Sequence, residues 1–125
     1  MTINISSDYG IISPNQNIYR KEGVAEEDQT IKPVSYSVVK HGIMGLTKYL
    51  ATYWGKKGVR VNTLCPASLQ NGQDPEFIEK LSALVPMGRM SRPDEYPATV
   101  LYMLSDASSY MTGATVVLDG GRTIW

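Results

Sequence analysis

The sequence predicts an α/β fold built on a parallel sheet, and three observations carry that prediction. Short β-prone segments occur near residues 2–6, 59–65 and 114–118, a strongly periodic helix joins the first to the second, and helical stretches lie between the second and the third. Strands that alternate with helices pair in parallel, because a crossover helix returns the chain to the same end of the sheet. At 125 residues, 42% of them hydrophobic, the chain can bury a real core but has material for only one domain.

In order along the chain, Thr2 to Ser6 is short and β-prone and runs through small polar residues to Gly10, a strand entering a loop. From Ser13 to Lys32 the chain is polar and turn-rich (Pro14, Asn15, Asn17, Gly23, then Glu26-Glu27-Asp28), which predicts a long loop. A helix is predicted from Ser35 to Trp54. Val39, Ile43, Leu46, Leu50 and Trp54 recur on one face and should form its core stripe, while Gly55 and Gly58 stop it. Val59 to Cys65, closed by Pro66, predicts a buried strand. Asp74-Pro75-Glu76 places a capping residue before a proline at the first helical position, so a short helix should lead through Phe77 to Leu84. Another helix is expected to start at Ser91-Arg92-Pro93-Asp94 and carry Val100, Leu101 and Leu104 to Ser105, with Pro97 interrupting its backbone bonding. Ala114 to Leu118 reads as a third strand, ended by Gly120-Gly121.

Charge excludes some partners. The 12 Lys and Arg balance the 12 Asp and Glu, so no basic field exists to attract nucleic acid or an anionic membrane surface. No apolar run approaches the roughly 20 residues of a membrane span, and the N-terminus lacks the basic-then-apolar layout of a signal peptide, so a cytoplasmic location is expected. The single Cys65 has no disulfide or metal partner by spacing and reads as a small buried side chain; no metal site is expected.

The chemistry points to Tyr36-Ser37-Val38-Val39-Lys40, where a phenol and an ammonium lie four residues apart on one helical face. A free phenol titrates near 10, so one that moves protons near neutrality needs its anion stabilised by about 4 kcal/mol. A positive charge about 4 Å away, at an effective dielectric of about 20, supplies about that much. Spacing alone is weak support, since this composition yields about 0.4 such pairs by chance. Tyr53 and Lys57 form a second such pair, but at the helix end, where they read as surface residues. His41, next to Lys40, points to another side of the helix, has no acidic orienter nearby in sequence and reads as a surface or packing residue.

Asn4-Ile5-Ser6-Ser7, Tyr36-x-x-x-Lys40, Arg60-Val61-Asn62 with Pro66, Ser105-Asp106, Thr112-Gly113 and Asp119-Gly120-Gly121 follow one another in an order that resembles the C-terminal half of the short-chain dehydrogenase/reductase family, over nearly the whole chain. The resemblance implies the second half of a Rossmann-like doubly wound parallel sheet, three strands with flanking helices. It implies an oxidoreductase that uses NAD or NADP to move a hydride between nicotinamide and a carbonyl or alcohol carbon. Tyr36 would be its general acid/base, Lys40 would stabilise the phenolate and hold the nicotinamide ribose, and Ser7, with Ser6 as fallback, would donate to the carbonyl oxygen. Pro66, Ala67, Leu69 and Asn71 would join Tyr36 and Lys40 around the nicotinamide, with Ala67 departing from the family's usual glycine. A homo-oligomer through helix 35–54 is implied as well, with Gly42, Gly45, Tyr49 and Tyr53 facing a second copy.

Two departures from the family follow. Tyr36 lies 29 positions after Ser7, so residues around 14–32 resemble an insertion that shapes the substrate pocket. With Asn71 to Phe77 and the terminal Trp125, the insertion resembles a subgroup from bacterial surface-sugar and flagellin-modification loci, which makes a sugar a candidate substrate. No Gly-x-x-x-Gly-x-Gly turn occurs, nor does the asparagine of the family's active-site tetrad. The expectation is therefore a partial domain over 1–125 without the dinucleotide-binding half. The residue that chooses between NAD and NADP lies in that half. The alternative is a non-catalytic remnant acting as an oligomerisation or interaction module.

Overall fold

The computed structural model describes every residue from Met1 to Trp125. Strands β1 (Thr2–Ile5), β2 (Val61–Pro66) and β3 (Thr115–Leu118) form one parallel sheet in the order β1-β2-β3, with Thr2 opposite Val61 and Thr63 opposite Thr115. Helices α1 (Val34–Trp54), α2 (Pro75–Ser82) and α3 (Pro97–Leu104) make the connections, so the α/β succession read from the sequence is the one observed. β2 is central and buried from Val61 to Cys65, as its unbroken run of apolar and small residues requires. Cys65 is a free, fully buried thiol, pushed up from its ordinary pKa by burial. No helix is long and apolar enough to cross a membrane.

Helix α1 corrects one expectation. Its buried residues are Thr47 and Ala51, whereas Val39 and Leu46 are 59% and 50% exposed. Periodicity identifies an apolar face but not what covers it. Here the small side chains bring the helix close to the sheet, and the branched ones lie on an open side. The contact is partly polar: Thr47 Oγ1 accepts from Asn4 Nδ2 of β1 at 2.8 Å and from Thr63 Oγ1 of β2 at 2.7 Å. Sliding α1 by a turn would leave these interior groups unpaired, so they set the height of the helix against the strand ends. Gly58, left-handed at φ +76°, closes the turn after α1.

The Arg60-Val61-Asn62 segment ties β2 to the chain entering β3. Asn62, fully buried, donates to the Met111 carbonyl and accepts from the Ala114 N–H, both at 2.9 Å. Arg60 Nη1 donates to the carbonyls of Ser108 at 2.8 Å and Met111 at 3.2 Å. Each bond adds about 1 kcal/mol net, and leaving its buried partner unpaired costs about 1–3 kcal/mol.

The helix expected to start at Ser91 starts later. Pro93–Glu95 is a single 3-10 turn, and α3 begins at Pro97 itself. A proline is disruptive inside a helix but harmless at its first position, where its missing N–H has no partner to lose. Pro97 is thus a start signal rather than an interruption. α2 is capped as expected, Asp74 Oδ1 accepting from Glu76 N at 2.9 Å, and ends at Ser82, short of Leu84. The 14–32 segment has no long helix or strand, but it is anchored. Ile18 is buried with Leu81 and Met90, and Gln16 bonds both backbone groups of Lys32.

Candidate active site

The C-terminal ends of parallel strands are where open α/β sheets hold ligands. Here the ends of β1 and β2 and the first turn of α1 enclose a cleft of about 340 Å³, whose walls include Ser7, Tyr36, Pro66, Ala67 and Leu69. The structure thus brings five of the seven candidate site residues to one cleft. Lys40 and Asn71 lie outside its walls.

Ser6 is a structural residue: its Oγ donates to the Lys40 carbonyl at 2.7 Å and ties the β1 end to α1. Gly10 sits in the same contact, where an added Cβ would lie 2.8 Å from that carbonyl oxygen. Ser7, 7% exposed, donates through Oγ to Asp8 Oδ1 at 2.7 Å and accepts from the Tyr9 N–H at 3.2 Å. Burial pushes the Asp8 carboxyl above its ordinary pKa, and its Oδ2 has no hydrogen-bond partner.

The Tyr36 hydroxyl makes no hydrogen bond within the chain, and its ring meets Tyr9 edge to face, with centroids 6.3 Å apart. Lys40 Nζ donates to the Ile5 carbonyl at 3.1 Å and lies 5.5 Å from the Tyr36 ring centre. The spacing argument expected this closeness, and the carbonyl at the β1 end fixes it. His41 Nδ1 contacts its own helix at the Ser37 carbonyl, 2.9 Å away.

The segment after β2 is well held. The Ala67 N–H donates to the Leu118 carbonyl at 3.0 Å and extends the sheet ladder, with alanine where the family resemblance implies glycine. Gln73 clamps the next turn, accepting from Asn71 N and donating to the Leu69 carbonyl, both at 2.7 Å. The Leu69 N–H has no partner within the chain.

Sequence reading missed Asp8, Tyr9, Tyr19, Lys32, Gln73 and Phe77 on the cleft walls. Tyr19 donates to the Tyr9 hydroxyl at 3.1 Å, and burial raises the pKa of both phenols, so they remain neutral. Lys32 Nζ stands 3.9 Å from the Tyr36 ring centre. Tyr19 and Lys32 belong to the loop flagged as pocket-shaping; nothing in the sequence marked these two within it.

The donor set fits the nicotinamide end of a dinucleotide. An unpaired phenol and a nearby ammonium suit ribose hydroxyls, and an unpaired backbone N–H on a clamped turn suits a carboxamide oxygen.

A parallel sheet that opens at its strand ends onto such a cleft places the chain in the doubly wound class of α/β proteins, whose ligands sit at those strand ends. A family model described as Enoyl-(Acyl carrier protein) reductase matches residues 15–123. Galactitol 2-dehydrogenase (L-tagatose-forming) of Cereibacter sphaeroides is 40% identical over 97 residues, 73% of this chain and 38% of that protein. D-threitol dehydrogenase of Mycolicibacterium smegmatis is 40% identical over 96 residues, 73% of this chain and 37% of that protein. A short-chain dehydrogenase from Leptospira borgpetersenii with bound NAD+ superposes with a TM-score of 0.85 at 33% identity, covering 97% of this chain and 43% of that one. The chain belongs to the short-chain dehydrogenase/reductase family, and it spans less than two fifths of the length of the two curated relatives.

Proposed function

We propose that these residues form the reacting part of an NAD- or NADP-dependent oxidoreductase that interconverts an alcohol and a carbonyl on a polyhydroxylated, sugar-like substrate. The observation that carries this reading is the unpaired Tyr36 hydroxyl facing a cleft it shares with Ser7 and Leu69, with the Lys40 ammonium anchored behind it. The sugar-alcohol relatives favour a polyol or its ketone as substrate.

Tyr36 and Lys40 would hold the nicotinamide ribose, and Leu69 and Asn71 the carboxamide, with Pro66 and Ala67 forming the floor. Bound there, the nicotinamide supplies the hydride donor or acceptor. In the oxidising direction the Tyr36 phenolate, stabilised by the Lys40 charge, would take the proton of the substrate hydroxyl at Oη and become the neutral phenol. Ser7 positions the substrate oxygen. Its one hydroxyl proton rests on Asp8 Oδ1, while the Tyr9 N–H holds the oxygen in place, so the proton can turn to a substrate carbonyl without Oγ moving. The test is nicotinamide absorbance on mixing the cofactor-loaded enzyme with galactitol, D-threitol, the matching ketoses or an aldonate such as D-gluconate. Turnover on at least one is expected, and none on any of them with cofactor bound would refute the reading.

The same reading places the enzyme in the cytoplasm and pairs two copies along α1. Gly42 and Gly45 open onto empty space, and Tyr49 and Tyr53, each 62% exposed, stack with centroids 5.8 Å apart, an apolar strip that needs a cover. Sedimentation should show a dimer or larger assembly that Tyr53→Glu dissociates. A monomeric wild-type protein would rule the pairing out.

A further inference from the structure

We propose that the substrate carries a carboxylate close to its reacting carbon and that Lys32 binds it; this rests on the oxidoreductase reading of the cleft. Lys32 closes the 14–32 loop, and its backbone is fixed on both sides by Gln16, whose Nε2 donates to the Lys32 carbonyl at 3.1 Å and whose Oε1 accepts from its N–H at 2.9 Å. The side chain is half-buried in the cleft wall, with Nζ 3.9 Å from the Tyr36 ring centre and 6.0 Å from that of Tyr9. The aromatic faces hold the ammonium in place but leave its charge unbalanced.

No carboxylate in the chain balances it. Glu26 pairs with Arg20 and Asp74 pairs with Lys21, and Lys32 takes part in no ion pair. The one carboxyl on the cleft wall, Asp8, is 2% exposed and spends Oδ1 on Ser7 and Tyr9. A cation built into the wall beside the acid/base phenol, with no counter-ion within this chain, calls for a negative group on the ligand. A singly charged carboxylate fits better than a phosphate, because no arginine and no second lysine lines the cleft.

D-Glucuronate and D-glucose differ only in a carboxylate against a hydroxymethyl group, so they serve as probes in ligand-observed NMR with the purified chain. At low ionic strength glucuronate should bind up to about fivefold more tightly, the ratio a single partly exposed ion pair supplies. Lys32→Gln should abolish the preference, Lys32→Arg should keep it, and added salt should shrink it. Tyr36→Phe should leave the preference intact. A preference that persists while turnover proves independent of Tyr36 overturns the oxidoreductase reading alone. Equal binding of the two sugars, no detectable binding of either at about 10 mM, or a preference that survives Lys32→Gln overturns the carboxylate site.

Discussion

Replacing Tyr36 by Phe is expected to lower kcat for nicotinamide-dependent alcohol oxidation by at least about 100-fold, the lower end of what a positioned acid/base group contributes. The substitution removes one oxygen and leaves the ring. The edge-to-face contact with Tyr9 and the approach of Lys32 to the ring face both depend on the ring and persist in the variant. KM should therefore change much less than kcat, the pattern of a group that acts in the transition state. A Phe variant retaining more than about a tenth of the activity would show that another group moves the proton.

Gly10→Ala should do comparable damage without touching a reacting group. The new Cβ would meet the Lys40 carbonyl oxygen at 2.8 Å and collide with Ser6 Oγ. One obstacle is helix backbone, which cannot swing aside as a side chain can. The other is the hydroxyl whose bond to that carbonyl ties β1 to α1. Relief requires α1 to move away from the turn carrying Ser7, which separates Ser7 from Tyr36. Displacements of about 1 Å at such a site cost about 100-fold in rate, and overpacking costs about 1–3 kcal/mol of stability. Gly55→Ala, just past the end of α1, is the control, because its Cβ meets nothing within 4 Å and its backbone is right-handed helical. It should leave the rate unchanged and raise stability by about 0.5–1 kcal/mol, through reduced freedom of the unfolded chain. Equal rates for the Gly10 and Gly55 variants would show that the turn and the helix are not mechanically coupled.

Much of the fold was legible because its signals are local. The three strands announce themselves by short β-branched runs, α1 by its length and its terminal glycines, and α2 by Asp74-Pro75. What was misread depends on neighbours. Val39 and Leu46 share a period with Ile43 and Leu50, and only packing reveals that the sheet meets Thr47 and Ala51 instead. Pro97 is the same residue whether it breaks a helix or begins one, and the preceding turn decides. For the cleft, Ser7 and Leu69 entered through the family resemblance alone, and Tyr36 also through its four-residue spacing to Lys40. Tyr9, Tyr19 and Lys32 were not identifiable, since no period or motif says which way an irregular segment folds back. Asp8 illustrates the limit: its sequence neighbour is Ser7, but only the structure shows that it takes the Ser7 hydroxyl proton.

The paired hydrogen bonds between Gln16 and Lys32 cinch the loop at its base, like a drawstring, next to the helix that carries Tyr36. The chain between those two residues makes no backbone hydrogen bond to α1. Doubling the length of a closed loop costs only about 0.6 kcal/mol, so this stretch can be rewritten or exchanged at little energetic cost as long as Ile18 keeps its seat beside Leu81 and Tyr19 its bond to Tyr9. Evolution, or an engineer grafting loops between relatives, could then retarget the enzyme to a new substrate while inheriting its proton chemistry unchanged.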